Sequence, residues 1–386
     1  MATGGEGTRE RRAARGGCRI GIDARKLEDG GIGRYVVELL RRLPAIDSGA
    51  HFVVLATAEG CARIARELAA PNLETVVVSA SGYGLREHVE LGRAARAARL
   101  DLLHVPHYVV PATVRCPVVV TVHDLIHWRL PRSAVHAAYV RLLLALVRAR
   151  ARLVLTPSSA VARDLEQLAR IPADRLRVVP NGVDAAFWGA DLPEDAPGGF
   201  AARHGLAPRY VLNVTNGLPH KGLDLLLAAW REVTDLQLVL VGQGSDGPAV
   251  HAEIARAALD SGRVAVLGAL TDAELRLAYR GAAAVVVASR LEGFGLPALE
   301  AMAAGVPVLV AEAGALPEVV GDAGLVFPVD SVACLLSALY RSVPGSDLVA
   351  RQERIRRGLA RARELSWDRT AQETHAAYGV ALHWRT

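Results

Sequence analysis

Residues 289–305, SRLEGFGLPALEAMAAG, bring together side chains suited to a charged, hydroxyl-rich ligand. An apolar β-branched run at 284–288 leads in and reads as a strand. Pro297 suits the first position of a helix and Gly305 the position just past its end. Glu292 then lies in the loop and Glu300 about one turn into the helix, so the two do not share a helical face. Gly293 and Gly295 let backbone approach a ligand, and the unsatisfied amides of a helix start attract an anion. A diphosphate suits those amides, and a carboxylate further in suits ribose hydroxyls. The plainer alternative is that the glycines only turn the chain and Glu300 only complements the helix dipole.

Other positions offer charge. The chain has 45 lysines and arginines, and only Lys26 and Lys221 are lysine. A biased composition explains the excess of arginine. A retained ammonium suits a site where a compact point charge must meet phosphate. Lys221 precedes a helical stretch, where a cation opposes the helix dipole, which favours an anionic partner. His123 ends the strand-like run VVVTV, where ligands of parallel sheets bind, and Asp124 follows to orient it or cap the next element. His104, His107 and His127 match no zinc spacing and read as cleft-lining or structural, so no metal is expected. Asp23 and Arg25 follow the first strand and suit either acceptor contact or a salt bridge.

The elements that must hold these groups alternate in type. Strands are expected at 18–22, 52–56, 102–105, 118–122, 153–156, 176–179, 210–214, 236–241, 264–267, 284–288, 306–310 and 324–327. Helical stretches such as 32–43, 134–150, 223–233 and 272–280 lie between them, which means βαβ units and parallel sheets. So many strands exceed one ordinary sheet. The break falls in a Gly-, Pro- and Asp-rich stretch. The expected organisation is a disordered tail at 1–17, one Rossmann-like domain at 18–185, a linker at 186–208 and a second such domain at 209–365. A C-terminal helix at 366–386 is expected to pack back on the first domain. The fold class is α/β, with the two domains facing a cleft able to hold two substrates.

Composition excludes several classes. The chain has 386 residues, 51% hydrophobic and 22% charged, which rules out collagen-like, disordered and disulfide-scaffold chains. No uncharged apolar run is long enough to span a bilayer. Cys18, Cys61, Cys116 and Cys334 are scattered, and the basic N-terminus lacks a signal-peptide core, so a cytoplasmic setting is expected. The net charge of +5 comes with no nucleic-acid reader motif, and an anionic small substrate or anionic lipid surface suits it instead. Gly242-Gln-Gly244-Ser-Asp-Gly247 has dinucleotide-loop spacing, but Gly268, not an acid, ends the next strand, and Pro248 follows at once. The segment from Tyr139 to Arg150 suits either a membrane-surface helix or, as the favoured reading, a packed one.

Residues 289–305, continued through VPVLV and LPEVVGDAGLVF, closely resemble glycosyltransferase family 4, the retaining nucleotide-sugar enzymes of GT-B fold whose Glu pair is spaced E-x7-E. The resemblance runs along nearly the whole chain, through GIDARKLEDGGIGRYVVELL, VVVTVHDLIHW, VVPNGVD, HKGLDLLLAAW and LGALTDAELRLAYRGA. It implies Glu300 on the donor ribose and Glu292 near the sugar hydroxyls. The loop of Gly293, Phe294, Gly295 and Leu296 would then lie near sugar and diphosphate. Lys221 would neutralise the diphosphate, with Gly31 and Gly33 offering amides to the same phosphate and His123 beside the anomeric carbon. Gly242 and Gly268 would belong to donor-side loops. Many family members carry arginine where this chain has Asn216, so either His220 supplies part of that charge or the site uses one cation fewer. The implied reaction moves a sugar from a nucleoside diphosphate to an acceptor hydroxyl without metal. The match to the mannosyltransferase-like branch points to GDP-mannose. Peripheral membrane contact is compatible with it. Two other readings are a non-catalytic nucleotide-sugar sensor and a hydrolase using the Glu pair.

Overall fold

The computed structural model describes residues 17–79, 85–343, 345 and 347–383. The tail expected at 1–17 lies, up to residue 16, outside the described residues. The described chain divides into two units. One runs to Pro180 and resumes at Trp367, and the other is Asn181–Ser366.

The first unit is built on strands β1 (Arg19–Asp23), β2 (His51–Ala56), β3 (Leu73–Val77), β4 (Leu102–Val105), β5 (Val118–Thr121), β6 (Ala151–Thr156) and β7 (Leu176–Val178). They pair in parallel in the order β3-β2-β1-β4-β5-β6-β7. The second unit holds β8 (Tyr210–Val214), β9 (Gln237–Val241), β10 (Val264–Gly268), β11 (Ala284–Val287), β12 (Val308–Ala311) and β13 (Leu325–Phe327). Their parallel order is β10-β9-β8-β11-β12-β13. The central strands β4, β5, β9, β11 and β12 are buried along their whole length, as helices on both faces require of Val/Leu runs. In each sheet the strand order reverses beside the first strand, between β1 and β4 and between β8 and β11. Ligands of open α/β sheets bind at such a reversal, beyond the carboxyl ends of the strands.

Two expectations need correction. Strand β3, sequence LETVV, was not foreseen. It lies at the sheet edge, only partly buried, and its polar residues blur the alternation that marks a strand. The stretch 186–208 is no linker. It contains helices Ala185–Gly189 and Ala196–Arg203, which bury Trp188 and Phe200 within the second unit. Burying two large aromatics outweighs the local Gly and Pro content. The chain leaves the first unit at Pro180 and re-enters it at Trp367. Helix Trp367–His383 then packs in the first unit, where the Thr370 hydroxyl donates to the Pro180 carbonyl at 2.7 Å.

Candidate active site

In the second unit, loops after β8 and β11 meet at the strand-order reversal. Val214 leads to a 3-10 turn, Pro219–Lys221, and Gly222 then turns the chain into helix Leu223–Trp230. Gly222 has φ 70°, and a Cβ there would lie 2.2 Å from the Ala288 carbonyl oxygen, so only glycine lets this turn sit against the end of β11. Lys221 Nζ donates to Glu292 Oε2 at 2.9 Å, with the two side chains 19% and 14% exposed. The anionic partner that the lysine's place before a helix favours is thus Glu292. Arg290 fixes both loops. Its amide donates to the His220 carbonyl at 2.7 Å, its fork grips Asp224 at 2.7 and 2.8 Å, and its Nε reaches Asp330 at 2.7 Å. Hydrogen bonds to Asp224 and then Asp330 keep the Arg290 guanidinium charged far above the usual range.

The helix that follows the Glu292 loop is Leu296–Ala303, with Gly295 as N-cap and Pro297 as its second residue. That is one place later than the sequence suggests, because Gly295, at φ 101°, ends the loop and passes the first helical position to Leu296. Gly314 is pressed against Glu292, since its Cβ would meet the Glu292 carbonyl oxygen at 2.1 Å. The Ala315 amide donates to that same oxygen at 3.1 Å. Phe294 is buried. Glu300 is 5% exposed and accepts from the Tyr279 hydroxyl at 3.0 Å. Helix Asp272–Gly281 delivers Tyr279 and starts in a capping box, with Thr271 accepting from the Glu274 amide and Glu274 from the Thr271 amide.

Asn216 Oδ1 accepts from the Leu218 amide at 3.3 Å, so the residue in the arginine position shapes its own turn. His220 is buried in the 3-10 turn, and Lys221 is the cation that reaches the loop. Loops after β9 and β10 join there. The Gly242 amide donates to the Gly268 carbonyl at 2.7 Å, and Gly247 caps helix Pro248–Ala257.

In the first unit Asp23 ends β1, fully buried. Arg25 donates to it through Nε at 2.8 Å and Nη2 at 2.7 Å. Of the two roles open for this pair, the structure realises the salt bridge. His107 Nδ1 accepts from the Val109 amide at 3.2 Å, so Nε2 carries the proton it shares with Asp23 at 3.1 Å. Burial alone would raise the Asp23 carboxyl, but hydrogen bonds from Arg25 and His107 outweigh it and hold the group well below the usual range.

His123 follows β5. Burial lowers it to about 4, helped by the neighbouring His107 and opposed by a backbone hydrogen bond at Pro106. Proline offers only a carbonyl there, so the imidazole is the donor. Its Nε2 is buried without a partner among the described residues. The Tyr35 ring packs edge-on at 4.9 Å and 78° and fixes the His123 plane. Beyond it, the Tyr35 hydroxyl bonds Thr121, which bonds His104 Nε2, whose Nδ1 meets the Tyr378 hydroxyl of the C-terminal helix. Asp124 Oδ1 accepts from the Ile126 amide at 2.9 Å and so caps the next turn.

In the glycine loop the Gly33 amide is taken up by the chain itself. Helix Gly30–Ile46 begins earlier than foreseen, and both the Ile32 and Gly33 amides donate to the Asp29 carbonyl. Gly33 sits so tightly on Leu27 that a Cβ would come within 2.0 Å of the Leu27 carbonyl oxygen. This glycine serves packing, because the loop has already closed into the helix's first turn.

Comparison with known proteins gives these halves a family. The Glycosyltransferase Family 4 model matches residues 29–187, and the Glycosyl transferases group 1 model matches residues 208–343. The chain belongs to the GT-B glycosyltransferases. It is 28% identical to O-antigen chain mannosyltransferase B of Escherichia coli over 90% of this chain and 95% of that one. It is 35% identical to the D-inositol 3-phosphate glycosyltransferase of Segniliparus rotundus over 53% of this chain and 48% of that protein. In fold, this glycosyltransferase is similar to sucrose-phosphate synthase from Thermosynechococcus elongatus (TM-score 0.76, 20% identity, 94% of this chain and 98% of that one). It is equally similar to Anabaena HepE in complex with UDP and glucose (TM-score 0.76, 19% identity, 94% and 99% covered).

Sequence reasoning missed Arg290, Tyr279 and Tyr35 in the transferase. Arg290 lay in plain view two residues before Glu292, but its partners Asp224 and Asp330 are remote in sequence. Among the described residues no group of three His, Cys, Asp or Glu side chains is placed to hold a metal ion, and no helix is long and apolar enough to cross a membrane.

Desolvation of His104 and His123 makes stability pH-dependent. In the folded transferase His123 takes its proton near 4 and His104, desolvated and beside His123, near 3, against 6.5 for an unfolded histidine. The unfolded chain therefore binds more protons in that window. This stabilisation is full above about pH 6.5 and is lost as pH falls towards 4 and then 3. Thermal melts from pH 7.5 to 4 should show Tm falling with acid, and a His104→Gln, His123→Gln double variant should show a flatter fall. Equal slopes would refute the assignment.

Proposed function

We propose that this glycosyltransferase moves a sugar, with retention, from a nucleoside diphosphate to an acceptor hydroxyl of a glycan, glycolipid or small molecule, with GDP-mannose as donor. The observation that carries this reading is the Lys221–Glu292 pair at the reversal between β8 and β11. There a cation, a glycine-built helix start and two carboxylates converge. The donor diphosphate displaces Glu292 from Lys221, freeing Glu292 to accept from sugar hydroxyls while the Gly293, Phe294, Gly295 and Leu296 segment offers amides. Glu300, oriented by Tyr279, accepts from the ribose hydroxyls. The relation to an O-antigen mannosyltransferase along most of the chain supports mannose.

By the family resemblance, the first unit's His123 is proposed for the sugar being transferred and Asp124 for the acceptor. The bond from the anomeric carbon to the leaving phosphate oxygen breaks. The acceptor oxygen bonds that carbon from the same face, and its proton passes to the departing diphosphate. Lys221 and the loop amides, rather than a metal ion, meet the growing negative charge. A hydrolase reading leaves Lys221 without a task, and Glu292 and Glu300 have different partners, Lys221 and Tyr279.

Incubation with GDP-, UDP- and dTDP-sugars and a glycan acceptor panel tests the proposal. GDP release from GDP-mannose, dependent on acceptor and giving an α-linked product, is the expected result. Release from UDP-sugars alone would overturn the donor, and an inverted product would overturn retention. A thermal shift by nucleotide sugar without any turnover would favour the sensor.

A further inference from the structure

The helix Ala134–Arg150 of the first unit is apolar nearly all round, which is unusual for a helix with one side in solvent. Its inner face buries Val140, Leu143, Leu144 and Val147 against the sheet core. Its outer face carries a second apolar stripe, Val135, Ala138, Leu142, Ala145 and Ala149, spaced alternately by three and four residues and exposed throughout. Val135 is 80% exposed and Leu142 57%. Leu130, just before the helix, is 49% exposed. Core packing explains the inner stripe and leaves the outer one unexplained.

Charge identifies what the outer stripe meets. From 125 to 163 the chain has no aspartate or glutamate but seven arginines. On the helical wheel Arg141 and Arg148 flank the stripe on one side, both exposed, and Arg132 precedes it. Arg141 lies over the Trp128 ring at 5.5 Å, which holds an indole and a guanidinium together at the same surface. A helix with leucine and valine outward, arginine along its edge and a tryptophan close by has the composition that settles at the headgroup level of an anionic bilayer. A second copy of the chain is a poorer occupant, because a two-fold contact through this stripe would set Arg141 and Arg148 against their own copies.

We propose that the outer face of helix Ala134–Arg150 docks the protein on an anionic lipid surface. The helix follows His123 by only eleven residues, through the short turn Ile126–Arg129. Running back from the carboxyl end of β5, its Val135 end lies towards the ligand-binding end of the sheet. Docking would hold that end near the membrane, where a lipid-borne acceptor hydroxyl is presented. The docking itself does not depend on which sugar or nucleotide the enzyme uses.

Co-sedimentation of the full chain with vesicles tests it. Vesicles of phosphatidylcholine with about a third phosphatidylglycerol should bind the protein at least tenfold better than pure phosphatidylcholine, and 0.5 M salt should remove most of that gain. Two double variants, Val135→Ser with Leu142→Ser and Arg132→Gln with Arg148→Gln, should each lower partitioning tenfold or more. Because these side chains face solvent, Tm and turnover of a water-soluble acceptor should stay as in the parent. Equal binding to both vesicle types, or parental binding by both variants, would overturn the proposal. So would a concentration-dependent dimer that Leu142→Ser dissolves, since that would give the stripe to a second copy.

Discussion

Replacing Lys221 with alanine should lower kcat by about 10²-fold or more, a loss of roughly 2.7 kcal/mol of transition-state stabilisation, while leaving Tm nearly unchanged. The reason lies in when the charge is needed. Lys221 pairs with Glu292, and the two side chains are 19% and 14% exposed, so water still reaches Glu292 and losing the ammonium costs less stability than breaking a fully buried pair. In the proposed reaction the leaving diphosphate gains charge beside glycine turns and buried strand ends, where a fixed ammonium counts for more than in bulk water. Lys221→Arg should recover only part of the rate, because a planar guanidinium cannot occupy the place of a compact ammonium behind the Gly222 turn. Steady-state kinetics with circular dichroism as a fold control decide the matter, and parental kcat in Lys221→Ala would remove the lysine from the mechanism. Glu300→Ala provides the contrast. It should raise the donor KM more than it lowers kcat, since the proposed ribose contact would be made equally in ground and transition states.

The largest stability loss is expected from Asp23→Asn. Asp23 and Arg25 are buried, and the carboxylate accepts two hydrogen bonds from the guanidinium and one from His107. Asparagine keeps the shape but leaves the Arg25 charge buried without its counter-ion, a change that costs about 3–5 kcal/mol in such pairs. Urea unfolding should show a lower midpoint with an unchanged m-value. The exposed pair Arg42–Asp368 offers the comparison, and Asp368→Asn should cost under about 1 kcal/mol. Similar losses for the two variants would show that burial does not set the strength of the Asp23 pair.

The sequence by itself determined the local chemistry and the repeating βαβ framework. Continuous Val/Leu runs such as LVLV in β9 and AVVV in β11 are legible because a strand buried on both faces has few polar residues to interrupt it. The Glu292 loop, Glu300 in the following helix and Lys221 ahead of a helix were legible because glycine, proline and charge placement act within a few residues. The edge strand β3 was not, since exposure removes the pattern that burial imposes. Nor were the aromatic anchors Trp188 and Phe200, which draw an apparent linker into the second unit. What only the tertiary structure decided is who meets whom. Lys221 finds Glu292 across 71 residues, Arg290 finds Asp224 across 66, and His104 finds Tyr378 across 274. Such pairings follow from strand order. The sheet places the ends of β8 and β11 side by side, and nothing in the spacing of residues along the chain encodes that neighbourhood.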